Sequence, residues 1–254
     1  MERELKGKIA LVTGASRGIG RATALRLGEM GATVCVHYNN AAGKAREVVD
    51  AIVKMEGEAF AVQADLSARD GHTKLLQGFE AELVYRFGSP AFDILVNNAG
   101  TGTRAVIEDI DETEFDRVIQ VDLRAPFFLI KGALKHMRKG GRIVNVSSMG
   151  TRAAYPVMAI YAPAKAGLEA LTLLLAAHLG PREITVNAVL PGATATDFHP
   201  GASHPEQSKE IAKSIALGRV GQPEDIADVI AFLASERGRW VTGQKIDTSG
   251  GQRI

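Results

Sequence analysis

The sequence predicts an α/β protein: one domain built on a doubly wound, seven-stranded parallel sheet flanked by helices. Three observations carry this expectation. Short aliphatic and β-branched runs alternate with longer amphipathic stretches along the whole chain, the pattern of βαβ units feeding a parallel sheet. Most of the short runs are nearly continuous in apolar character, as strands covered on both faces must be. A glycine-rich segment also separates the first strand from the first helix, where the chain has to turn sharply.

In chain order, the strands are expected at 8–14 (KIALVTG), 33–38 (TVCVHY), 58–65 (EAFAVQAD), 92–100 (FDILVNNAG), 141–148 (GRIVNVSS), 184–192 (ITVNAVLPG) and 243–251 (GQKIDTSGG). Each combines β-branched or aliphatic residues with a turn-forming end. The helices between them are expected at 19–30, 43–56, 67–87, 113–138, 163–179 and 223–235, where apolar residues recur at helical spacing. Seven strands joined by six helical crossovers leave no linker and no repeat beyond the βα alternation itself, so residues 1–254 are expected to form a single domain. Segment 193–217, ATATDFHPGASHPEQSKEIAKSIAL, has no clear period. A long excursion of this kind from a compact domain is more often functional or mobile than idle, and it is expected to be a mobile lid over the substrate.

Composition removes several function classes. Thirty basic against twenty-nine acidic residues leave a formal charge of +1, without long runs of one sign. Neither nucleic acid nor an anionic membrane surface is expected as a partner. No segment reaches the roughly 18 apolar residues needed to span a bilayer. The single cysteine, Cys35, lies within an apolar strand and has no internal partner for a disulfide. A soluble, cytoplasmic protein is expected. His199 and His204 have no ligand cluster around them, so no metal site is expected.

The glycine segment, TGASRGIG at 13–20, gives the first functional expectation. Gly14 permits the tight turn, Gly18 lets the backbone approach a diphosphate, and Gly20 lets helix and strand pack closely. Free N–H groups at the helix start attract anions. At the end of the second strand, a chain that takes NAD usually offers a carboxylate to the adenosine ribose. Here the residues are His37, Tyr38, Asn39 and Asn40, with no acid. Arg17 in the loop is suited to neutralise a 2′-phosphate through a charge-assisted contact, so NADP(H) is expected over NAD(H). The alternative for Arg17 is a solvated surface charge.

Several segments together resemble the short-chain dehydrogenase/reductase family, over essentially the whole chain. TGASRGIG is similar to its cofactor loop, Asp65-Leu66 to its adenine contact, NNAG (97–100) to its sheet-centre motif, and the serine pair with YAPAK (161–165) to its active site. PGATAT (191–196) resembles its nicotinamide-side loop, and GRVGQPEDIADVIAFLAS with WVTGQKIDTSGG its C-terminal region. The resemblance implies a single-domain Rossmann fold. It implies a cofactor site of Gly14, Ser16, Arg17, Gly18, Ile19, Gly20, Tyr38, Asn39, Asn40, Asp65, Leu66, Asn98, Ala99, Gly100, Tyr161, Lys165, Pro191, Gly192, Thr194 and Thr196. It also implies catalysis by Ser148, rather than neighbouring Ser147, with Tyr161 and Lys165. Ser148 would hold a substrate carbonyl while Tyr161 delivers a proton to its oxygen. Lys165 would also bind the nicotinamide ribose. A homotetramer is implied too, with a dimer as the alternative, and the apolar run 166–180 suits a helix packed against another subunit.

Tyr161 and Lys165 are four residues apart and share a helix face. A free phenol titrates near pH 10. A cation about 4 Å away at an effective dielectric near 20 contributes about 4 kcal/mol toward ionisation, which is expected to move the phenol toward neutrality by at most roughly three pKa units, since desolvation opposes it. Pro163 is tolerated only in a helix's first turn, which places Tyr161 very near the helix start.

The chain departs from the family at VDLRAPFF, where an asparagine is common and this sequence has Asp122. An ionised carboxylate cannot donate the amide's hydrogen bonds. Buried, it requires a partner such as Lys165 or a raised pKa.

The expected activity is NADPH-dependent reduction of a ketone to a secondary alcohol, on a 3-oxoacyl thioester, a polyketide or another small carbonyl compound. Lys209 and Lys213 could meet an acidic carrier, although a solvated surface face is the simpler reading. An alcohol or sugar dehydrogenase working mainly in oxidation is the alternative within the same chemistry. A nucleotide-binding regulatory protein with impaired turnover is the alternative outside it.

Overall fold

A computed structural model describes residues 3–254. Its seven strands are β1 (Ile9–Val12), β2 (Thr33–Tyr38), β3 (Glu58–Gln63), β4 (Phe92–Asn97), β5 (Met137–Val146), β6 (Thr185–Pro191) and β7 (Lys245–Thr248). They form one sheet in the order β3-β2-β1-β4-β5-β6-β7, and every pairing is parallel. The sequence-predicted doubly wound sheet is therefore present as a single domain. Strand order reverses between β1 and β4, so the loops leaving those two strands open a crevice at their carboxyl ends.

The helices are α1 (Gly18–Glu29), α2 (Ala42–Lys54), α3 (Gly71–Phe87), α4 (Glu112–Ile119), α5 (Ala125–Ala133), α6 (Tyr161–Leu179), α7 (Pro200–Ser203), α8 (Pro205–Ala212) and α9 (Pro223–Ala234). Alternate strand residues face opposite sides of the pleated sheet. Ala10, Val12, Val34, Val36, Ile94 and Val96 join Ala24 and Leu27 of α1 and Ile226 and Ile230 of α9 in one core. Ile9, Leu11, Cys35, Leu95 and Ile143 join Leu75 and Phe79 of α3 and Leu129 and Ile130 of α5 in the other. Cys35 is buried and free, and burial pushes its thiol well above its ordinary value.

The differences from the sequence reading have local causes. The 113–138 stretch is not one helix: a π-helical turn at Gln120–Arg124 separates α4 from α5, and β5 begins early, at Met137. Pro126 lies in the first turn of α5 and has no N–H to give to the Asp122 carbonyl four residues back. β4 stops at Asn97 because the N–H groups of Asn98 and Ala99 both donate to the Thr13 hydroxyl, at 3.0 and 2.9 Å, instead of extending the ladder. β7 ends before Gly250 and Gly251, whose φ values of 67° and 75° lie in the left-handed region. Segment 193–217 contains two short helices, α7 and α8, each opened by a proline.

Candidate active site

The glycine segment leaves β1 and enters α1 at the mouth of the crevice. Gly14 and Gly18 have φ values of 63° and 54°, which side-chain-bearing residues rarely adopt. Gly20 is required by close approach: a Cβ there would lie 2.4 Å from both the Gly14 carbonyl oxygen and Asn98 Nδ2. Asn98 is committed to this loop, its amide donating to the Thr13 and Gly14 carbonyls at 2.9 and 3.1 Å. His37 fixes the loop from the other side. Its Nδ1 accepts from the Gly14 N–H at 3.0 Å, which leaves Nε2 to donate to the Ala64 carbonyl at 3.1 Å. Burial holds this imidazole at a pKa of about 4, so it is neutral around pH 7.

The remaining cofactor candidates surround this loop. Thr196, in the loop after β6, stands 3.1 Å from where a Gly18 Cβ would be. Pro191 and Thr194 are buried behind it, and Ala193 N donates to Gln252 Oε1 at 2.8 Å, anchoring that loop to the C-terminal segment. Asn39 Nδ2 reaches Asp65 Oδ1 at 3.2 Å, and Ser67 holds the same oxygen through its N–H and hydroxyl at 2.9 and 2.7 Å. Leu66 is buried below them, whereas Asn39 and Asn40 are exposed and Tyr38 is half-buried. These residues fit a dinucleotide bearing a 2′-phosphate. The two positive-φ glycines leave a side-chain-free cradle, and no carboxylate stands at the end of β2.

Beside the cradle, α6 begins at Tyr161, with Pro163 in its first turn as the sequence requires. Lys165, one turn on, is buried, and its Nζ donates to the Val146 carbonyl at 3.0 Å. The same ammonium lies 3.0 Å from Asp122 Oδ1, and both side chains are almost wholly inaccessible. Asp122 Oδ2 accepts from the Thr101 N–H at 3.2 Å, while Oδ1 has the ammonium beside it without an aligned hydrogen-bond donor. A Cβ on Gly100 would stand 2.9 Å from Asp122 Oδ1 and 3.6 Å from Lys165 Nζ, so the end of the NNAG motif borders this pair. The expected Lys165 partner for Asp122 is therefore present, and burial also raises the Asp122 carboxyl against the opposing pull of Lys165.

Ser147 and Ser148 diverge. Ser147 is buried and donates to Glu169 Oε1 at 2.6 Å. Ser148 is half-buried and accepts from the Gly150 N–H at 3.1 Å, and its hydroxyl faces the Tyr161 phenol closely enough to pull its pKa down. Ser147 is thus committed to Glu169, and Ser148 is the member of the pair on the Tyr161 side.

One electrostatic expectation is corrected. Lys165 does pull the phenol down, and Ser148 adds to that pull, but burial outweighs both and Asp122 adds to the rise. Tyr161 therefore sits above its ordinary value. The geometry explains this: Lys165 Nζ is 5.6 Å from the Tyr161 ring centroid but 3.0 Å from the Asp122 carboxylate that offsets its charge. Burial pulls the Lys165 ammonium down, but Asp122 and Tyr161 together hold it above its ordinary value. A charged lysine and a neutral phenol are the forms present around pH 7.

Several contributors escaped the sequence reading. Thr13, His37 and Gln252 position loops through hydrogen bonds between distant segments, which no local motif announces. Phe198 lies with its ring centroid 5.8 Å from that of Tyr161, and a Cβ on Gly102 would come within 2.7 Å of it. Lys209 and Lys213 are each paired with a glutamate three residues back, so they present no free basic face. His199 accepts from the Ala202 N–H at 3.1 Å, and no cluster able to hold a metal ion occurs among the described residues.

Fold and site together define a nicotinamide-dependent oxidoreductase. Residues 14–253 match the family model described as enoyl-(acyl carrier protein) reductase. The chain belongs to the short-chain dehydrogenase/reductase family. It is 41% identical over 262 residues to the hydroxynaphthalene reductase-like protein Arp2 of Metarhizium majus, covering 98% of this chain and 96% of the relative. The crystal structure of the angucycline C-6 ketoreductase LanV with bound NADP superposes with a TM-score of 0.95 at 46% identity, covering 98% of this chain and 97% of LanV. LugOII, a promiscuous reductase that catalyses keto-reduction at C1 during lugdunomycin biosynthesis, gives a TM-score of 0.95 at 45% identity, with 98% and 99% covered.

Proposed function

We propose that the protein reduces a cyclic ketone to a secondary alcohol with NADPH, and that its substrate is a fused-ring aromatic polyketide or a related small carbonyl compound. The observation that carries this reading is the neutral Tyr161 phenol beside Ser148, backed by the buried Lys165–Asp122 pair. A phenol held above its ordinary value stays protonated at neutral pH, the form a proton donor to a carbonyl oxygen needs. Ser148 orients that oxygen. The reduced nicotinamide supplies the hydride to the carbonyl carbon. Tyr161 gives its proton to the oxygen, completing the alcohol, and the charged Lys165 stabilises the phenolate that remains. Asp122 holds Lys165 in place and in its charged form.

The relatives support the substrate class. LanV has also been crystallised with NADP and rabelomycin, and that structure superposes with a TM-score of 0.91. The exposed Phe198 ring beside Tyr161 offers a planar apolar wall to a fused-ring ketone. Arg17 is assigned to the 2′-phosphate. Segment 193–217, which carries Phe198, is assigned as the lid over the substrate. A homotetramer is the proposed assembly, resting on exposed Phe115 of α4, Phe127 of α5, and Leu173 and Leu174 of α6. No helix is long and apolar enough to cross a membrane among the described residues, and a cytoplasmic location is proposed.

The test runs NADPH and NADH in parallel against fused-ring aromatic ketones, 3-oxoacyl thioesters and enoyl thioesters. Ketone-dependent NADPH oxidation well above that with NADH supports the reading. Turnover confined to enoyl thioesters refutes it, and turnover of 3-oxoacyl thioesters alone moves the substrate to the carrier-bound class.

A further inference from the structure

Two cations from different elements converge on one oxygen. Arg17 Nη1, in the glycine loop, lies 3.5 Å from Asp197 Oδ2, and Lys44 Nζ, in the first turn of α2, lies 3.6 Å from the same atom. Arg17 and Lys44 are exposed and carry like charge, and nothing in the backbone of either segment requires their tips to meet. What gathers them is an anion, here supplied by the residue that follows Thr196. Thr196 packs over Gly18, so Asp197 reaches the pair from the segment already seated on the glycine loop. The charges do not balance: two full positive charges face a single carboxylate. A phosphate monoester carries roughly −1.5 to −2 at neutral pH and three acceptor oxygens, so it matches this pair of donors better than one carboxylate does.

We propose that Lys44 is a second determinant of cofactor specificity, binding the 2′-phosphate of NADP(H) together with Arg17, and that Asp197 is an internal competitor for the same two cations. This rests on the assignment of Arg17 to the 2′-phosphate made above. The competition has two consequences. The net selectivity for NADPH over NADH is smaller than the two cations alone would give, because the phosphate has to displace a carboxylate. Binding of the 2′-phosphate also frees the Asp197 carboxylate from the glycine loop, while Thr196 stays packed over Gly18. NADH, lacking that phosphate, leaves the contact in place.

The experiment measures binding rather than turnover, using calorimetric titration of the full chain with 2′,5′-ADP and 5′-ADP, and fluorescence titration with NADPH and NADH. Lys44→Ala is expected to weaken 2′,5′-ADP and NADPH by about tenfold while leaving 5′-ADP and NADH within about twofold, and Lys44→Arg to restore binding. Asp197→Asn is expected to tighten 2′,5′-ADP and NADPH several-fold and to leave the phosphate-free ligands unchanged. Lys44→Ala with unaltered NADPH-to-NADH selectivity overturns the proposal, as does Asp197→Asn that fails to tighten the phosphate-bearing pair. Arg17→Ala separates the two layers. If it loses selectivity while Lys44→Ala does not, the 2′-phosphate assignment stands and the Lys44 proposal falls. If Arg17→Ala weakens all four ligands equally, the assignment itself falls and takes the proposal with it.

Discussion

Replacing Asp122 by asparagine tests the electrostatic core of the site. Its carboxylate lies 3.0 Å from the Lys165 ammonium, both are buried, and at an effective dielectric of about 20 their attraction is about 5 kcal/mol as an upper guide. Removing one partner of a buried pair typically costs ~3–5 kcal/mol, because the other charge is left uncompensated. The Thr101 N–H and the Lys165 ammonium meet different carboxylate oxygens, and asparagine keeps an acceptor for only one of them, so a loss within that range, about 4 kcal/mol, is expected in denaturant unfolding. The pH dependence carries a sharper signature. Asp122 raises both Lys165 and Tyr161, so its removal lowers both. Reduction needs the protonated phenol and the ammonium, and each is lost as pH rises. The alkaline limb of kcat for ketone reduction with NADPH should therefore move to lower pH, while turnover near pH 7 stays within a few-fold of the parent. An unmoved alkaline limb would refute the electrostatic account. A collapse of turnover at neutral pH would show instead that the carboxylate transfers a proton itself.

Four further substitutions have expected outcomes. Tyr161→Phe should bind NADPH like the parent but lose turnover by roughly 10²–10⁴-fold, and near-parental kcat would remove the phenol from the proton-transfer role. Ser148→Ala should lower kcat by about 10²-fold or more with little change in stability. Ser147→Ala should leave turnover within a few-fold and cost about 1–3 kcal/mol, because Glu169 loses its buried donor; the reverse pattern would exchange the two serines. His37 titrates near 6.5 when unfolded but at about 4 when folded, so the unfolded chain takes up the proton first as pH falls. Folding stability present above pH 6.5 should decline by about 3 kcal/mol on acidification to about pH 4, and His37→Asn should flatten that part of the profile. An unchanged slope in His37→Asn would mean that other groups set the acid limit.

The sheet, its parallel sense and most helix positions were legible because they follow from periodicity and from apolar runs that only a doubly covered strand tolerates. The Tyr161 helix start was readable from Pro163 alone, since proline is compatible with a first turn and not with the interior. The π turn at Gln120–Arg124 was not readable: its residues keep a helical hydrophobic pattern, and the widening shows only once Asp122 is seen turned toward Lys165. The candidate catalytic positions came from residue types in a recognisable order. Their electrostatic balance did not, because the direction of the Tyr161 pKa depends on burial and on a carboxylate thirty-nine positions earlier in the chain. Arg17 drew a proposed role from its place in the glycine loop, whereas Lys44 and Asp197 draw theirs only from their meeting in space.

The most direct test of the central claim is single-turnover reduction of a fused-ring aromatic ketone by enzyme preloaded with NADPH, comparing the parent with Tyr161→Phe under conditions where both are saturated with cofactor. The account predicts stoichiometric nicotinamide oxidation and alcohol formation by the parent, and a rate lower by orders of magnitude in the variant. Equal rates in the two proteins, or nicotinamide oxidation without alcohol product, would contradict it.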